Sequence, residues 1–264
     1  MKLWKKALLI GVLVAPTAAI AQAPGTGLTG TAHDFATNAA YAATALVNGT
    51  TTTAIGQCTL CHTPHSALQQ PLLWNHRGGI AAYSYNEALT AGGTPYPSIA
   101  PAYKGPSVKC LSCHDASVAI GEINMFANVK PASVNTFVVG GPPGLETTHI
   151  IGALGNMSGN HPVAMPYPLN NVASTYNGSM NGAEATGSGW VANPHAPITG
   201  IKLFNDNGAG QITAGTAAGR TGIECSSCHD PHNKQTQDDF LLRGKLVSTI
   251  GGNDGYICTK CHVK

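Results

Sequence analysis

The sequence has few charged residues and no long apolar run beyond its N-terminal segment. Charged side chains make up 10% of the 264 residues, whereas they are about a quarter of an ordinary globular domain. No later stretch approaches the roughly 18 uninterrupted apolar residues that a transmembrane helix needs. We therefore expect no membrane span. Because repelling charges are sparse, we also expect little electrostatic opposition to association of the chain with its own copies.

The N-terminal segment has the pattern of a secretory signal peptide. Three lysines, Lys2, Lys5 and Lys6, precede a short apolar run that ends in Ala19-Ile20-Ala21, a small-x-small cleavage site. We predict that residues 1–21 are removed and that residues 22–264 form the exported chain. Without those lysines the 14 basic residues fall to 11 against 12 acidic ones. This near-neutral balance gives no reason to expect a nucleic-acid partner.

Turn-forming residues are abundant. Glycine and proline together number 32 + 17 = 49, which predicts a mostly irregular chain with short helices and a few short β-hairpins. The stretch GIKLFNDNGAGQIT, residues 200–213, predicts a hairpin. Its NDNG is only faintly like a calcium loop, because the acidic residue expected near the loop's end is missing. Residues 33–47 and 115–126 are predicted as short helices.

No cysteine is left outside one repeated motif. All eight cysteines fall into four copies of CxxCH, which is the attachment signal for c-type haem: the thiols form thioethers and the next histidine binds the iron. Paired CxxC motifs can also bind zinc, and exported cysteines can form disulfides. Neither alternative needs a histidine after every second cysteine. We therefore predict four covalently attached haems c, with thiols and proximal histidines Cys58, Cys61, His62, Cys110, Cys113, His114, Cys225, Cys228, His229, Cys258, Cys261 and His262.

Two of the motifs carry a second histidine three residues later, in CTLCHTPH and CSSCHDPH. His232 is too near His229 to reach the far face of the same haem, and Pro231 prevents a continuing helix between them. His232 should therefore bind a different haem, and His65 follows the same rule. Two haems would then be forced close together at each such segment.

The motifs alternate with and without this second histidine, which is an internal repeat. We predict one domain over residues 22–264 with an N-terminal dihaem unit at about 30–130, a loop-rich insertion at about 131–215 and a C-terminal dihaem unit at about 216–264. The fold is expected to be organised around a chain of four closely packed haems. His161, in the rigid setting of His-Pro, is a further candidate iron ligand. His33 and His76 are harder to separate from one another.

The order HDF, CTLCHTPH, PLLWN, CLSCHD, NHPV, CSSCHDPH, FLLR and CTKCH resembles the multihaem c-type cytochromes with doubled CxxCH motifs. These include tetrahaem and hexahaem outer-surface cytochromes of metal-reducing bacteria that polymerise into electron-conducting nanowires. The resemblance covers His33 to His262 in order. It implies bis-histidine ligation of every haem, a continuous haem stack, and one distal histidine that can come from the next subunit, for which His33 is a candidate.

The resemblance also implies a ranking of the distal histidines. It favours His33, His65, His161 and His232, with His76 and then His149 in reserve and His195 last. Methionines could bind iron too, but with surplus imidazoles we expect them to pack against haem faces; they are Met125, Met157, Met165 and Met180.

The expected function is electron transfer and not catalysis, because seven spare histidines for four sixth positions leave no open iron site. The favoured role is a subunit that polymerises head to tail into an extracellular filament. Its partners would be copies of itself, redox partner cytochromes and an extracellular electron acceptor. The alternatives are a soluble periplasmic electron shuttle and, less favoured, a multihaem reductase. Localisation is expected outside the cell or at its surface, or else in the periplasm.

Overall fold

Coil and turns dominate the structure. The computed structural model describes residues 24–36, 45–48, 51–54, 56–65, 67, 72–76, 82–100, 102–117, 123–124, 149–182, 187–195, 200–246 and 256–263. Its only helix longer than one turn in this part of the chain is α1, Ser107–His114. The predicted fold class, mostly irregular chain with short helices and small antiparallel sheets, is confirmed at this level. No described helix is long and apolar enough to cross a membrane.

The strands are short and pair antiparallel. Strand β1 (Ala45–Asn48) pairs with β2 (Thr51–Ala54). A four-stranded sheet follows, in the order β3-β8-β6-β7, and a second hairpin joins β4 to β5. Their bounds are β3 Met165–Pro166, β4 Thr175–Tyr176, β5 Ser179–Met180, β6 Phe204–Asp206, β7 Ile212–Ala214 and β8 Thr221–Ile223.

Single-turn elements complete the secondary structure. A one-turn helix, α2, spans Cys225–Cys228. Three 3₁₀ turns span Ala153–Gly155, Leu169–Asn171 and Cys258–Lys260.

Turn chemistry explains two of the hairpins. Asn177 and Gly178, between β4 and β5, have φ of 49° and 73°, as a two-residue turn that matches the strand twist requires. The predicted hairpin of residues 200–213 is confirmed as β6 and β7. Asp206 accepts the backbone N–H of Gly208 through Oδ1 at 2.8 Å and that of Asn177 through Oδ2 at 2.9 Å. Its carboxylate thus closes turns, which argues against the calcium-loop reading.

The helix prediction for residues 33–47 is wrong at its C-terminal end, where β1 begins at Ala45. The β-branched residues of Leu-Val and Thr-Thr-Thr favour strand pairing over helix. Residues 37–44 lie outside the described part. The helix predicted at 115–126 is wrong at its start, because α1 ends at His114 and Ala116 has φ of 57°. Most of its remainder lies outside the described residues.

The core consists of small clusters instead of one large apolar layer. One cluster contains Tyr83, Tyr85, Ile99, Leu111 and Met157. The others bury Tyr167, Leu169, Ile201 and Leu203, and Tyr176, Phe204 and Ile212. The four-stranded sheet joins the predicted insertion to the predicted C-terminal unit, since β8 leads directly into α2.

Candidate cofactor-binding site

Each CxxCH motif forms one tight turn. The backbone N–H of the motif histidine donates to the carbonyl of the first cysteine in the motifs of His62, at 2.8 Å, His229, at 3.0 Å, and His262, at 2.9 Å. In the remaining motif the same residues form the end of α1. About one helical turn therefore separates the two thiols, and the imidazole follows directly, which is the spacing that the haem-attachment chemistry needs.

The two alternative uses of these cysteines find no support in the geometry. All eight thiols are free. In the part of the chain that the structure describes, which includes every cysteine and histidine, no group of three or more His, Cys, Asp and Glu side chains gathers as a zinc site would require.

Three of the four motif histidines have one ring nitrogen fixed by a backbone carbonyl. Nδ1 of His62 bonds the carbonyl of Leu72 at 2.6 Å, and Nδ1 of His229 bonds that of Phe240 at 2.8 Å. Nδ1 of His114 bonds the carbonyl oxygen of His149 at 2.9 Å. A carbonyl only accepts, so Nδ1 carries the proton and Nε2 presents a lone pair. These rings are thus prepared to bind a metal through Nε2.

Three motif histidines each face a second imidazole. The ring centroids of His62 and His232 lie 6.2 Å apart with planes inclined by 17°. An imidazole nitrogen binds a metal at about 2 Å, so two imidazoles on opposite sides of one iron place their centroids about 6 Å apart. The other pairs are His33 with His114 at 6.2 Å and His161 with His262 at 6.5 Å.

Two of the facing histidines are also held by a carbonyl. Nδ1 of His161 bonds the carbonyl oxygen of Pro162 at 2.9 Å, and Nδ1 of His33 bonds that of Pro231 at 3.3 Å. Burial, and then the nearby His114, lowers the pKa of His33 to about 4, so His33 stays neutral and able to donate a lone pair. Its partner belongs to the same chain, which speaks against the expectation that His33 serves a neighbouring copy.

His65 and His229 belong to no such pair among the described residues, and both are exposed. The structure therefore brings three of the four predicted distal histidines to a motif histidine. The remaining distal histidine, His65, and the remaining proximal histidine, His229, have no such partner among the described residues. The sequence alone did not indicate which pair this would be.

The lower-ranked histidines have other surroundings. Nδ1 of His195 accepts the N–H of Leu203 at 2.9 Å, so its proton is on Nε2 and it is unsuited to bind iron. His149 supplies its main-chain carbonyl to His114, and His76 is buried. Met157 and Met165 are buried, whereas Met180 is exposed. Met125 lies outside the described residues, and packing of the methionines against haem faces stays a prediction.

The repeat continues beyond the second histidine, a feature that the sequence reading missed. Leu72 and Leu73 have φ of 82° and 53°, and Phe240 and Leu241 have φ of 56° and 57°. Left-handed backbone costs a leucine or phenylalanine about 1–2 kcal/mol. The conformation aims the carbonyls of Leu72 and Phe240 at the Nδ1 atoms of the motif histidines. The chain thus uses backbone strain at equivalent places in both repeats.

The two strained pairs make matching backbone bonds. The carbonyl of Leu73 accepts the N–H of Thr63, and that of Leu241 accepts the N–H of Asp230, both at 2.8 Å. Asn75 then donates to the carbonyl of Cys61, as Arg243 does to that of Cys228. The sequence runs PLLWN and FLLR therefore close two equivalent loops, each of which contains a CxxCH motif.

A carboxylate orders the turn that presents His232. Asp230 accepts the N–H groups of His232 at 3.1 Å, Lys234 at 2.9 Å and Gln235 at 2.8 Å, and Arg243 lies 3.8 Å from it. Burial opposes ionisation, but these N–H groups and the guanidinium together hold the pKa of Asp230 below its usual value. In the first repeat Thr63 takes this place and donates its hydroxyl to the carbonyl of His65 at 2.8 Å.

A buried carboxylate joins the second and third motifs. Glu224 accepts the hydroxyl of Tyr176 at 2.6 Å, the N–H of Ser107 at 3.1 Å, and the hydroxyls of Tyr103 and Ser107. Burial raises its pKa, and the hydroxyl donors oppose that rise. Glu224 also caps α2, where its N–H donates to Ser227. The start of α1 is thereby tied to the start of α2.

Thiols of successive motifs are neighbours. The side chains of Cys110 and Cys225 hydrogen-bond to each other. Burial, then Cys113, raises the pKa of Cys61 to about 12, and burial, then Cys228, raises that of Cys261 to about 12. Each motif thus lies against the next one along the chain.

No protein-family model matches the chain, and no curated protein matches it. The functional assignment therefore depends on the residues and geometry described above.

Proposed function

We propose that the chain is an exported tetrahaem c-type cytochrome that carries electrons along a stack of bis-histidine haems and polymerises head to tail into an extracellular conductive filament. The observation that carries the proposal is the approach of three distal imidazoles to three CxxCH histidines at 6.2–6.5 Å. This separation fits one iron between each pair.

The residues present fit the cofactor. Cys58 and Cys61 would anchor one haem, and His62 and His232 would bind its iron. His114 with His33, and His262 with His161, would do the same at two further motifs. Bound haem supplies a one-electron ferric and ferrous couple, and paired imidazoles leave its coordination sphere nearly unchanged on reduction. Because each pair would supply two imidazole ligands to the iron, these sites would favour electron transfer over catalysis.

The order of the motifs supports a continuous path. The side chains of Cys110 and Cys225 are in hydrogen-bond contact, although they belong to different predicted dihaem units. Cofactors anchored at both thiols would meet edge to edge. Glu224 and Ser107, which tie α1 to α2, would fix the separation at this step.

The unpaired His65 and His229 support polymerisation. One chain offers an exposed imidazole without a motif partner, and it also offers a motif histidine without a distal imidazole. A head-to-tail contact in which His65 of one copy serves the His229 haem of the next would satisfy both, and it would leave the same two groups open at the filament ends. The low charge of the chain would not oppose such packing. The redox partners would be other cytochromes and an extracellular electron acceptor.

Haem content and electron micrographs test the proposal. We expect four thioether-linked haems per chain by mass spectrometry, all low-spin in the assembled protein, and long thin filaments in micrographs of the native material. Monodisperse monomers at high concentration would favour the soluble shuttle, and a high-spin fraction in intact filaments would contradict full histidine ligation.

Two histidine variants separate the roles within the chain. His65→Ala should abolish filaments and leave one haem in four high-spin, because no other copy can supply the missing ligand. His33→Ala is the matched control: it should also make one haem high-spin, at His114, while filaments still form. Filaments of His65→Ala with four low-spin haems would contradict ligation between copies.

A further inference from the structure

A cationic cleft lies between the first and third motifs. It measures about 640 Å³ and is bordered by Gln57, Lys202, Asp230, His232, Lys234 and Arg243. This volume is within the range of about 300–1,000 Å³ that small-molecule and cofactor sites occupy. Gln57 immediately precedes Cys58 in the chain, so the cleft reaches from the start of the first motif to His232.

The cleft holds more positive than negative charge. Lys202, Lys234 and Arg243 face a single carboxylate, that of Asp230. This carboxylate already accepts three backbone N–H groups and lies near the Arg243 guanidinium. Among the described residues, neither lysine ammonium has a carboxylate within ion-pair distance. The two lysines are thus free to bind an anion.

The position of Lys202 is unfavourable for its positive charge. Its side chain is half-buried and its Nζ lies 5.6 Å from the ring centroid of Phe204. Burial, and then the positive charge of Arg243, lowers the pKa of Lys202. A carboxylate placed in the cleft would compensate both effects. Lys234 also lines the cleft and lies beside Gly27, where an added Cβ would be 3.4 Å from its Nζ.

We propose that Lys202 and Lys234 bind the propionate carboxylates of the haem held between His62 and His232, an inference that rests on the proposed function. That haem is the one that His232 would ligate, and the imidazole of His232 borders the cleft. Ammonium groups next to propionates favour addition of an electron to the ring, because they offset its growing negative charge. The lysines would therefore raise the midpoint potential of this haem selectively.

Spectroelectrochemical titration of the purified filament tests the inference. His232→Met first identifies the step that belongs to this haem, because methionine in place of histidine raises the potential. Lys202→Met should then lower that same step by at least a tenfold change in the reduction equilibrium, about 59 mV for one electron. Lys202→Met with Lys234→Met should lower it further. Lys104→Met, which removes an exposed lysine outside the cleft, is the matched control and should leave this step unchanged.

Three outcomes would overturn the inference. The first is an unchanged potential in the double lysine variant, and the second is a shift confined to a different step. The third is a shift in the wild type on adding acetate at constant ionic strength, because that would show that a free anion occupies the cleft in place of a tethered propionate. Failure of the proposed function itself would be seen earlier, as wild-type protein without covalently bound haem.

Discussion

Replacement of Tyr176 by phenylalanine removes one hydroxyl donor from the buried Glu224 carboxylate, together with the side-chain hydrogen bond between Tyr176 and Tyr103. Tyr176 is fully buried and its hydroxyl lies 2.6 Å from Oε1 of Glu224. A hydrogen bond to a charged group contributes about 1.5–3 kcal/mol, whereas one between neutral groups contributes about 1 kcal/mol. At a pH high enough to ionise Glu224, we therefore expect Tyr176→Phe to lower the free energy of unfolding by about 2 kcal/mol, because the acceptor is then a charged carboxylate.

Thermal unfolding of the haem-loaded protein measures this loss. For a chain of this length, 2 kcal/mol corresponds to a fall in Tm of about 4–8 °C. The matched control is Tyr85→Phe, because the Tyr85 hydroxyl accepts only a backbone N–H, that of Val163 at 3.0 Å among its described contacts. This control should lose about 1 kcal/mol. If Tyr176→Phe costs no more than Tyr85→Phe, Glu224 is not an ionised acceptor and the reasoning is refuted.

Three further predictions concern backbone strain, pH and the turn at the third motif. Leu72→Gly should raise Tm, because Leu72 is 53% exposed and has a left-handed backbone with φ of 82°, which glycine adopts without strain. The control Leu89→Gly, at an equally exposed leucine of ordinary backbone, should lower Tm. Equal effects of the two substitutions would contradict backbone strain at Leu72. Burial raises the pKa of Glu224, so the folded state binds the proton of this carboxyl group more tightly than the unfolded chain does. The stability of wild type relative to Glu224→Gln should therefore be greatest below the usual glutamate pKa and decline as pH rises. An increase of this difference with pH would contradict the prediction. Asp230→Ala should remove the hydrogen bonds that order the turn before His232, so magnetic circular dichroism should show a high-spin haem at the first motif. If only the haem of the His229 motif changes, the pairing of His232 with His62 is wrong.

Sequence reasoning could predict the sites but not their pairing. The CxxCH motif is five residues long and predicts a single turn that holds both thiols and the histidine. The turns of all four motifs could therefore be predicted from the sequence. The HxPH pattern predicted that His65 and His232 bind a haem other than that of their own motif. The proline and the three-residue spacing keep each histidine from reaching the far face of that haem. Which motif histidine His232 faces depends on contacts across more than a hundred residues. His62 meets His232 and not a nearer histidine, and no local pattern encodes that choice.

The missed residues are those whose role lies in the main chain. Leu72 and Phe240 act through a carbonyl and a left-handed backbone, and leucine and phenylalanine are poor indicators of that conformation. The repeated runs PLLWN and FLLR were visible as motifs, but only the structure relates them to the loops of the first and third haem motifs. Strand β1 was missed because its alanine-rich surroundings favour a helix by intrinsic propensity, and pairing with β2 overrides that propensity.

The facing of His62 and His232 would have a consequence for maturation of the exported cytochrome that we propose. The two residues are 232 − 62 = 170 positions apart, and a chain that crosses the membrane N-terminus first presents Cys58, Cys61 and His62 long before His232. A haem attached at once to the first motif would wait, with one axial position open, until those residues have followed. Export speed and the rate of haem attachment would then determine how long the first motif of a growing chain holds an iron site that is open to small ligands, before the arrival of His232 closes it.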